Sequence, residues 1–352
     1  MNEQLMDSTH SFSSAVFEVA DAFEANELFQ RNGWTDGLPI VPPTEEGVAR
    51  FLDAGGLGAG DVIGIEPVRR RQISAEKVAI AALMAGCLPE YMPVVVAIVK
   101  AMCEPQFALH GSTASTGGSA PFIVVNGPIR LGLGMNTTHN VLANASRANA
   151  AIGRSVRLFL LNVLGGIPGQ MDRSTLGHPG KFTFCIAEDE EGTDWLPLSV
   201  ERGLPAGTSA VTVMAVESPH QIMNEWTHDP KEILDTYAAS IRGNMLTYSI
   251  WEGNYAIVVP KQHREIFAEA GWSKQNIREY VFEAARVRRS AWRSVGKAAV
   301  AGRKDEERVY RALRSPEDLL VIAAGGPAGG FGAIIPPWYG KKSLAVTIPI
   351  AV

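Results

Sequence analysis

The stretch at residues 89–102, PEYMPVVVAIVKAM, constrains the fold more than any other part of the sequence. It has the length of a helix, and almost all of its residues are apolar. A membrane-spanning helix needs about 20 apolar residues, whereas this stretch is shorter and contains Lys100. A helix that is apolar on nearly every side has to be buried on most of them. The chain must therefore supply a core large enough to surround it.

The length and composition of the chain are sufficient for such a core. It has 352 residues, of which 46% are hydrophobic and 20% are charged, as is usual for globular proteins. A chain of this length fits one large domain or two lobes.

Helical and strand-forming patterns alternate along the chain, which favours an α/β or α+β fold with a mixed sheet flanked by helices. Helical spacing covers residues 15–31, 74–86, 89–102, 146–164, 230–241, 263–270 and 274–286, and strand-forming runs cover 122–125, 182–187, 210–216, 255–259, 319–324 and 344–350. We expect a disordered tail at 1–13, an N-terminal lobe with most of the site at 14–203, and a C-terminal α/β lobe at 204–352.

Charge, the N-terminus and the cysteines argue against several classes of protein. The net charge is −5, and the one basic region, at 286–297, shares its helix with apolar residues, so we expect no nucleic-acid partner. The N-terminus lacks the basic and apolar segments of a signal peptide. Cys87, Cys103 and Cys185 form no CxxC or metal-type spacing, which fits a reducing compartment. We therefore expect a cytoplasmic protein that does not associate with membranes.

The first candidate site is the small-polar segment HGSTASTGGS at 110–119. Its backbone N–H groups and hydroxyls can form an anion-binding nest, but the segment has no P-loop lysine, and the chain has no G-x-S-x-G motif. The alternative is a surface hairpin between strands. The candidate substrate-binding residues here are His110, Ser112, Thr113, Ser115 and Thr116.

The second candidate is the start of the helix at 146–164, where Arg147 and Arg154 share a face. A helix N-terminus attracts anions, and guanidinium groups bind carboxylates and phosphates. We assign substrate binding to Arg147, Asn149 and Arg154, and also to Asp36 and Asn126, each of which precedes a glycine in a turn. The alternative is that the arginines pair with acidic residues of the chain itself.

The third candidate is HPGK at 178–181 with the strand that follows it. His178, Lys181 and Glu188 are residue types that transfer protons, and strand alternation would place Lys181 and Cys185 on one face. Cys185 is either an inert core residue or a reactive thiol whose pKa is lowered by its neighbours. A metal site formed by His178, Glu188 and Glu190 is an alternative that no HxH or HExxH motif supports.

A glycine-rich segment, GGPAGGFG, follows the strand at 319–324. It resembles a phosphate-binding turn, but the residues after it include Pro336 and Pro337 and cannot begin the helix that such turns require. We expect it to let the loop backbone approach a ligand or a second subunit.

Several phrases resemble a family of bacterial and archaeal proteins that often occur beside small proteins with a Sec/Cys-Gly-Ser-Cys (UGSC) motif. They are TDGLPIVPPTEEGV, EKVAIAALMAGCLPEYMPVVVAIVKAM, RANAAIGRSVRLFLLNV and GHPGKFTFCIAEDEE, and the resemblance runs from about Trp34 to the C-terminus. The residues within it are Asp36, Gly37, Cys87, Glu90, Arg147, Asn149, Arg154, His178, Lys181, Cys185 and Glu188. The resemblance implies a small thiol or selenol redox partner. The chain departs from the family at 110–116, which puts a shared substrate in doubt.

These patterns predict an enzyme that acts on a small anionic, carboxylate-bearing molecule by acid–base chemistry, of the lyase or hydrolase type. His178, Lys181, Cys185 and Glu188 are the predicted catalytic residues. The alternatives are a thiol-dependent oxidoreductase that uses Cys185 and a non-catalytic subunit that partners a small redox protein. We predict no organic cofactor, keep a divalent metal as an alternative, and expect a homo-oligomer.

Overall fold

The computed structural model describes residues 10–144, 146–248, 251–302 and 305–351. Its helices are α1 (Ala22–Arg31), α2 (Glu45–Gly55), α3 (Ala75–Met84), α4 (Met92–Cys103), α5 (Leu109–Thr113), α6 (Ile129–Gly132), α7 (Arg147–Asn162), α8 (Leu198–Glu201), α9 (Pro230–Thr247), α10 (Lys261–Glu269), α11 (Lys274–Ala284) and α12 (Ala298–Ala301). Its strands are β1 (Val62–Ile65), β2 (Gln72–Ser74), β3 (Ala120–Asn126), β4 (Cys185–Ala187), β5 (Ala210–Val216), β6 (His220–Met223), β7 (Tyr255–Val259), β8 (Arg286–Arg288), β9 (Val309–Arg311), β10 (Leu319–Ala323), β11 (Phe331–Ile335) and β12 (Val346–Pro349).

Local sequence explains where the helices begin and end. Ser146 precedes α7, and its hydroxyl accepts a hydrogen bond from the Asn149 N–H at 3.2 Å. Thr44 does the same for α2 by accepting from the Gly47 N–H at 3.1 Å. Each cap satisfies an N–H group that has no partner inside its helix. Gly56 follows the last residue of α2 and caps the helix, with a φ of 61° in the left-handed region that favours glycine.

Two mixed sheets of four strands each lie at the centre of the described structure. In the first sheet the order is β4-β3-β5-β12, with β3 parallel to β4 and the other neighbours antiparallel. In the second sheet the order is β10-β7-β11-β6, with β7 parallel to β10 and the other neighbours antiparallel. The predicted α/β class with mixed sheets flanked by helices is therefore confirmed.

The two sheets pack face to face, and helices cover their outer faces. Phe122 and Ile186 of the first sheet share one buried cluster with Val258 and Ile322 of the second. The opposite face of the first sheet packs against α4 and α7, which in turn contact α2 and α3, and that of the second packs against α9, α10 and α11. The result is a four-layer α-β-β-α arrangement in which α4 is almost entirely buried, as its apolar sequence predicts.

The two halves of the chain repeat one topology and exchange their last strands. The first half runs β3, α7, β4 and β5, and then sends β6 into the second sheet. The second half runs β7, α10, α11, β10 and β11, and then sends β12 into the first sheet. Strands β3 and β7 are therefore counterparts, as are β4 and β10. The hydrogen bond from the Glu217 N–H to the Pro336 carbonyl, at 3.0 Å, joins the two crossings.

Because the two halves exchange strands, the predicted lobe boundary between residues 203 and 204 falls among strands of the same sheet. β5 and β12 belong to the predicted C-terminal lobe, but they pair in one sheet with β3 and β4 of the predicted N-terminal lobe. Residues 1–9 of the predicted tail lie outside the described residues. His10 and Ser13 are bonded to the folded chain, through Asp53 at 2.9 Å and Glu76 at 3.0 Å.

Two predicted local structures differ from those observed. The 110–119 segment does not form a hairpin between two strands, because Leu109–Thr113 form the short helix α5 and only β3 follows the segment. The strand predicted from 182 begins only at Cys185, and Lys181 lies on a 3-10 turn, Pro179–Lys181. The alternation that would place Lys181 and Cys185 on one strand face therefore does not apply.

In the described part of the chain, no single helix is long and apolar enough to cross a membrane. One pair of segments, 89–103 and 105–113, reaches that length and composition together, but it bends by 75° at the break.

Candidate functional site

Three segments that are distant in sequence meet beyond the N-terminal end of β3. The loop that follows α5 contacts the segment at 172–181, since the Thr175 N–H donates to the Thr116 carbonyl at 3.0 Å. The backbones of Gly118 and Gly177 touch, and a Cβ atom added to Gly118 would lie 2.9 Å from the Gly177 Cα atom. The end of β5 completes the group because Ala120 pairs with Val216. Only glycine permits so close an approach of two backbones.

A small cavity lies between these segments and α7. It has a volume of about 20 Å³, which is enough for about one water molecule or for the end of a ligand. It is lined by Leu109, Ser112, Thr113, Ser119, Pro121, Gly153, Val156, Arg157, Leu160, Asp172, Gly180 and Lys181. The cavity therefore brings the predicted loop and the predicted HPGK segment together.

The charged groups of the cavity centre on Asp172. The Lys181 ammonium lies 2.7 Å and 2.9 Å from the two carboxylate oxygens of Asp172, and the Arg157 guanidinium lies 3.4 Å from one of them. Burial raises the pKa of Asp172, but the bonds from Lys181 and Ser174 outweigh it and hold the pKa below its usual value. Two cations surround one carboxylate here, so the cavity wall carries net positive charge.

His178 lies beside this cavity, two residues before Gly180 and three before Lys181. Its Nδ1 atom accepts a hydrogen bond from the Gly180 N–H at 3.2 Å, which leaves the proton of the neutral ring on Nε2. Nε2 is buried and makes no hydrogen bond of normal length and angle within the residues described, although the backbone of Val216 lies close enough to act on the ring. Burial lowers the pKa of His178, against the opposing effect of the Val216 carbonyl group. His178 therefore presents a buried N–H donor rather than a free base.

Glu217 is a buried carboxyl group at the end of β5, with 7% of the residue exposed. Its Oε2 atom accepts from the Asn244 amide at 3.1 Å, whereas Oε1 has no hydrogen-bond partner within the described ranges. Burial raises the pKa of Glu217 to about 8, although the Asn244 amide and the neighbouring Tyr248 side chain lower it. At neutral pH this carboxyl group is mostly protonated, with a pKa that suits proton transfer.

Aromatic side chains form the outer edge of the same region. The Tyr248 hydroxyl donates to the Gly117 carbonyl at 3.3 Å, and the Trp338 indole donates to the Ser115 hydroxyl at 2.7 Å. Tyr339 contacts both Trp338 and Trp251. We give the name Glu217 site to Ser119, Asp172 and Lys181 of the cavity, together with His178, which interacts with the backbone of Val216, and with Glu217 and Tyr248, which interact with each other. Ser119 belongs to it because its buried hydroxyl lines the cavity and has no hydrogen-bond partner in the described chain.

The predicted residues of the 110–119 segment lie in or beside this site. Ser112 and Thr113 line the cavity, although both hydroxyls donate to the Leu109 carbonyl, at 3.1 Å and 2.8 Å. Ser115 accepts from Trp338, and Thr116 contacts the 172–181 segment through its carbonyl. His110, on α5, has a buried Nδ1 atom without a hydrogen-bond partner among described residues.

The predicted anion-binding arginines both make hydrogen bonds within the protein. The Arg154 guanidinium donates hydrogen bonds from Nε and Nη2 to the two carboxylate oxygens of Asp36, at 2.9 Å and 2.8 Å. Arg147 donates to the Gly86 carbonyl at 2.9 Å. Asn149 is buried, with its amide paired to the backbone of Asn136 at 2.9 Å and 3.0 Å. The pairing of Arg154 with Asp36 matches the alternative in which the arginines pair with acidic residues of the chain, whereas Arg147 bonds to a backbone carbonyl.

Glu188 and Asn126 lie at the opposite end of β3 from the Glu217 site. Asn126 donates to Glu188 at 2.6 Å, and Lys274 forms an ion pair with Glu188 at 2.8 Å. β3 spans seven residues, which corresponds to about 20 Å at the rise of a strand. The structure therefore does not bring Glu188 together with His178 and Lys181. Burial raises the pKa of Glu188, but Lys274 and the hydrogen bonds outweigh it and leave the pKa below its usual value.

Cys185 faces the helix-covered core of the first sheet. It is 5% exposed and belongs to the cluster between that sheet and its helices. Burial raises the pKa of the thiol, and the neighbouring Cys87 raises it further. Neither His178 nor Lys181 is among the groups that shift this pKa, so the cysteine has the surroundings of a core residue.

Reasoning from the sequence missed Asp172, Glu217, Tyr248 and Trp338. Glu217 had one usable signal, since a carboxylate directly follows the strand-forming run 210–216. Asp172 and Trp338 lie in loops without a motif. Within the residues that the structure describes, no three His, Cys, Asp or Glu side chains form a group that could hold a metal ion.

Comparison with known proteins adds no assignment. No protein-family model matches this sequence, and no curated protein is significantly similar to it. The resemblance to the UGSC-associated family therefore stays a prediction.

Proposed function

We propose that this protein is an enzyme that acts on a small anionic molecule by acid–base chemistry at the Glu217 site, in a lyase or hydrolase reaction. The observation that carries the proposal is the buried Glu217 carboxyl group. Its pKa is raised to about 8, and its Oε1 atom has no hydrogen-bond partner in the described ranges. A carboxyl group with a pKa near neutrality can both donate and accept a proton during turnover.

The neighbouring groups have complementary roles in this proposal. His178 donates a hydrogen bond from Nε2 to an oxygen on which negative charge develops, and the Ser119 hydroxyl is a second donor. Lys181 and Arg157 attract the anionic substrate, because their two positive charges exceed the single negative charge of Asp172. This assignment moves the proton-transfer role from Glu188 and His178 to Glu217.

The alternative functions have less support from the geometry. Thiol chemistry at Cys185 requires an accessible thiolate, whereas this thiol is buried with a raised pKa. We also propose a cytoplasmic location, supported by three free cysteines, and a homo-oligomer, supported by the exposed side chains of Val16, Phe17 and Phe23. The α4 helix does not support an oligomer, because it is buried within the fold.

The test is hydrogen exchange between solvent D₂O and a panel of small hydroxy- and amino-carboxylates, followed by NMR. The native protein should label or convert at least one of them. Glu217→Gln keeps the shape of the protonated acid but carries no exchangeable carboxyl proton, so it should lose at least about a hundredfold in rate. Glu279→Gln, on the exposed face of α11, is the matched control.

Two results would contradict the proposal. One is a Glu217→Gln variant as fast as the native protein. The other is a native protein that labels none of the panel but purifies in a stable complex with a small thiol protein, which would favour the non-catalytic subunit.

A further inference from the structure

The repeated topology of the two halves provides a pair of counterpart arginines. Arg130 follows the end of β3 by four residues, and Arg264 follows the end of β7 by five. Both are almost fully buried, with exposures of 1% and 3%. They lie at the carboxyl ends of the parallel strands, the edge where α/β sheets most often bind ligands. The two arginines therefore occupy equivalent positions in the two halves, and their surroundings can be compared.

The arginine of the first half is neutralised by acids of the same half. The Arg130 guanidinium lies 2.8 Å from a Glu191 carboxylate oxygen and 3.1 Å from a Glu190 carboxylate oxygen. It also donates to the Glu188 carbonyl at 2.8 Å. These residues follow β4 directly, so the loop after the neighbouring parallel strand closes this position.

The arginine of the second half lacks this neutralising pair. The loop after β10 has Gly326 and Pro327 at the positions that correspond to Glu190 and Glu191. Arg264 donates from Nη2 to Asp189 at 2.6 Å. Nε has no hydrogen-bond partner in either arginine within the part of the chain that is described, but Arg264 also has a buried Nη1 atom without a partner, whereas both Nη atoms of Arg130 are paired. Buried charged donors without partners are costly, so this position calls for an acceptor from outside the protein.

The surroundings of Arg264 are built for an anion. Arg264 lies in the first turn of α10, whose N-cap residue Pro260 provides no side-chain cap. The N–H groups of this turn and the helix dipole favour negative charge, and helical side chains lean toward the N-terminus of their helix. The glycines of the loop after β10 pass close by, since a Cβ atom on Gly325 would lie 3.3 Å from the Pro260 Cα atom.

The cluster also reaches the surface. A Cβ atom on Gly326 would lie 3.0 Å from the His139 ring, and His139 is exposed. The Gly325 N–H donates to the Thr137 carbonyl at 2.9 Å, which fixes the loop beside Asp189 and Arg264. A small ligand can therefore approach from the side of His139.

We infer that Arg264, the first turn of α10 and Gly325–Gly326 bind a small anion through a phosphate or carboxylate group. Parallel donor pairs of a guanidinium are Nε with Nη2 or Nη1 with Nη2, so the second proton of Nη2 and one of the two unpartnered nitrogens can donate to two oxygens of one such group. This anion site is separate from the Glu217 site. β7 begins at Tyr255, which is linked to Glu217 through Asn244, and ends one residue before Pro260, so the two sites lie about 15 Å apart along the strand.

Isothermal titration calorimetry with inorganic phosphate and with acetate, at constant ionic strength, tests this inference. The native protein should bind at least one of them saturably, with a dissociation constant in the millimolar range or tighter. Arg264→Lys keeps the positive charge and a bond to Asp189 but loses the pair of parallel N–H donors. This variant should therefore bind the anion at least about tenfold more weakly than the native protein. Arg130→Lys, at the counterpart position, should leave anion binding unchanged.

The readout does not depend on turnover, so its failure is distinct from failure at the Glu217 site. Tighter binding of phosphate assigns a phosphate ligand, and tighter binding of acetate assigns a carboxylate. If circular dichroism shows that Arg264→Lys does not fold, the Gly326→Val variant tests the inference. The valine side chain would fill the approach beside His139 and should weaken anion binding. Absence of saturable binding to the native protein, or undiminished binding by a folded Arg264→Lys or Gly326→Val variant, would overturn the inference.

Discussion

The Arg154 guanidinium holds the carboxylate of Asp36 through two parallel hydrogen bonds, of 2.9 Å and 2.8 Å. The same guanidinium donates to the Pro39 carbonyl at 2.8 Å. The side chain of Asp36 is 2% exposed, so this pair fixes the loop after α1 onto α7. Two residues that the sequence suggests for ligand binding are therefore partners of each other.

Breaking this pair should destabilise the fold. Arg154→Ala leaves the Asp36 carboxylate buried without its partner, and we expect the free energy of unfolding to fall by about 3–5 kcal/mol. Urea denaturation followed by circular dichroism measures the change. Arg50→Ala, at an exposed position of α2, should change stability by no more than about 0.5 kcal/mol. Equal effects of the two substitutions would contradict a structural role for Arg154.

Glu217 should make stability depend on pH. Its pKa is raised from 4.5 to about 8 in the folded protein, so the folded state binds more protons than the unfolded state between these values. The contribution of this group to stability is thus present below pH 4.5 and is lost as the pH rises toward 8, by up to about 1.4 kcal/mol per pH unit. Glu217→Gln should flatten this slope in urea titrations, and an unchanged slope would refute the raised pKa.

The ion pair between Glu188 and Lys274 should be more costly to break than to replace. Both residues are buried, at 1% and 3% exposure of their side chains. Lys274→Met leaves a buried carboxylate without its cation and should cost about 3–5 kcal/mol. The double variant Glu188→Gln with Lys274→Met should recover part of that loss, as measured by thermal or urea unfolding. A double variant with the summed cost of both single changes would show that the pair is not coupled.

The cysteines Cys87 and Cys185 should resist alkylation in the folded protein. Burial raises the pKa of Cys87 to about 12 and also raises that of Cys185, and both are nearly inaccessible. At about pH 8, iodoacetamide should modify these two residues only after unfolding, which mass spectrometry of native and urea-treated samples can show. If Cys185 is alkylated as fast in the native protein as in the unfolded protein, the result would support the alternative in which Cys185 is a reactive thiol.

Much of the fold is predictable from the sequence because local patterns coincide with the elements. The strand-forming runs 210–216 and 255–259 match β5 and β7 residue for residue, and the helix predicted at 146–164 contains α7. The segment at 110–113 was harder to predict, since small polar residues suit a loop as well as a short helix. The pairing of the strands was not predictable, because the exchange of β6 and β12 between sheets leaves no local pattern.

The sequence by itself determined that this chain forms an α/β fold with a large apolar core, and it predicted candidate polar segments between residues 110 and 191 without finding Glu217 or Arg264. Only the tertiary structure decided which polar groups serve the fold and which are available to a ligand. Arg154 and Glu188 are neutralised by partners more than 80 residues away, whereas Glu217 and Arg264 are buried without full compensation. The packing of distant segments determines how deeply a polar side chain is buried and which groups it pairs with. Burial and pairing then determine the pKa of the side chain and whether it can bind a ligand.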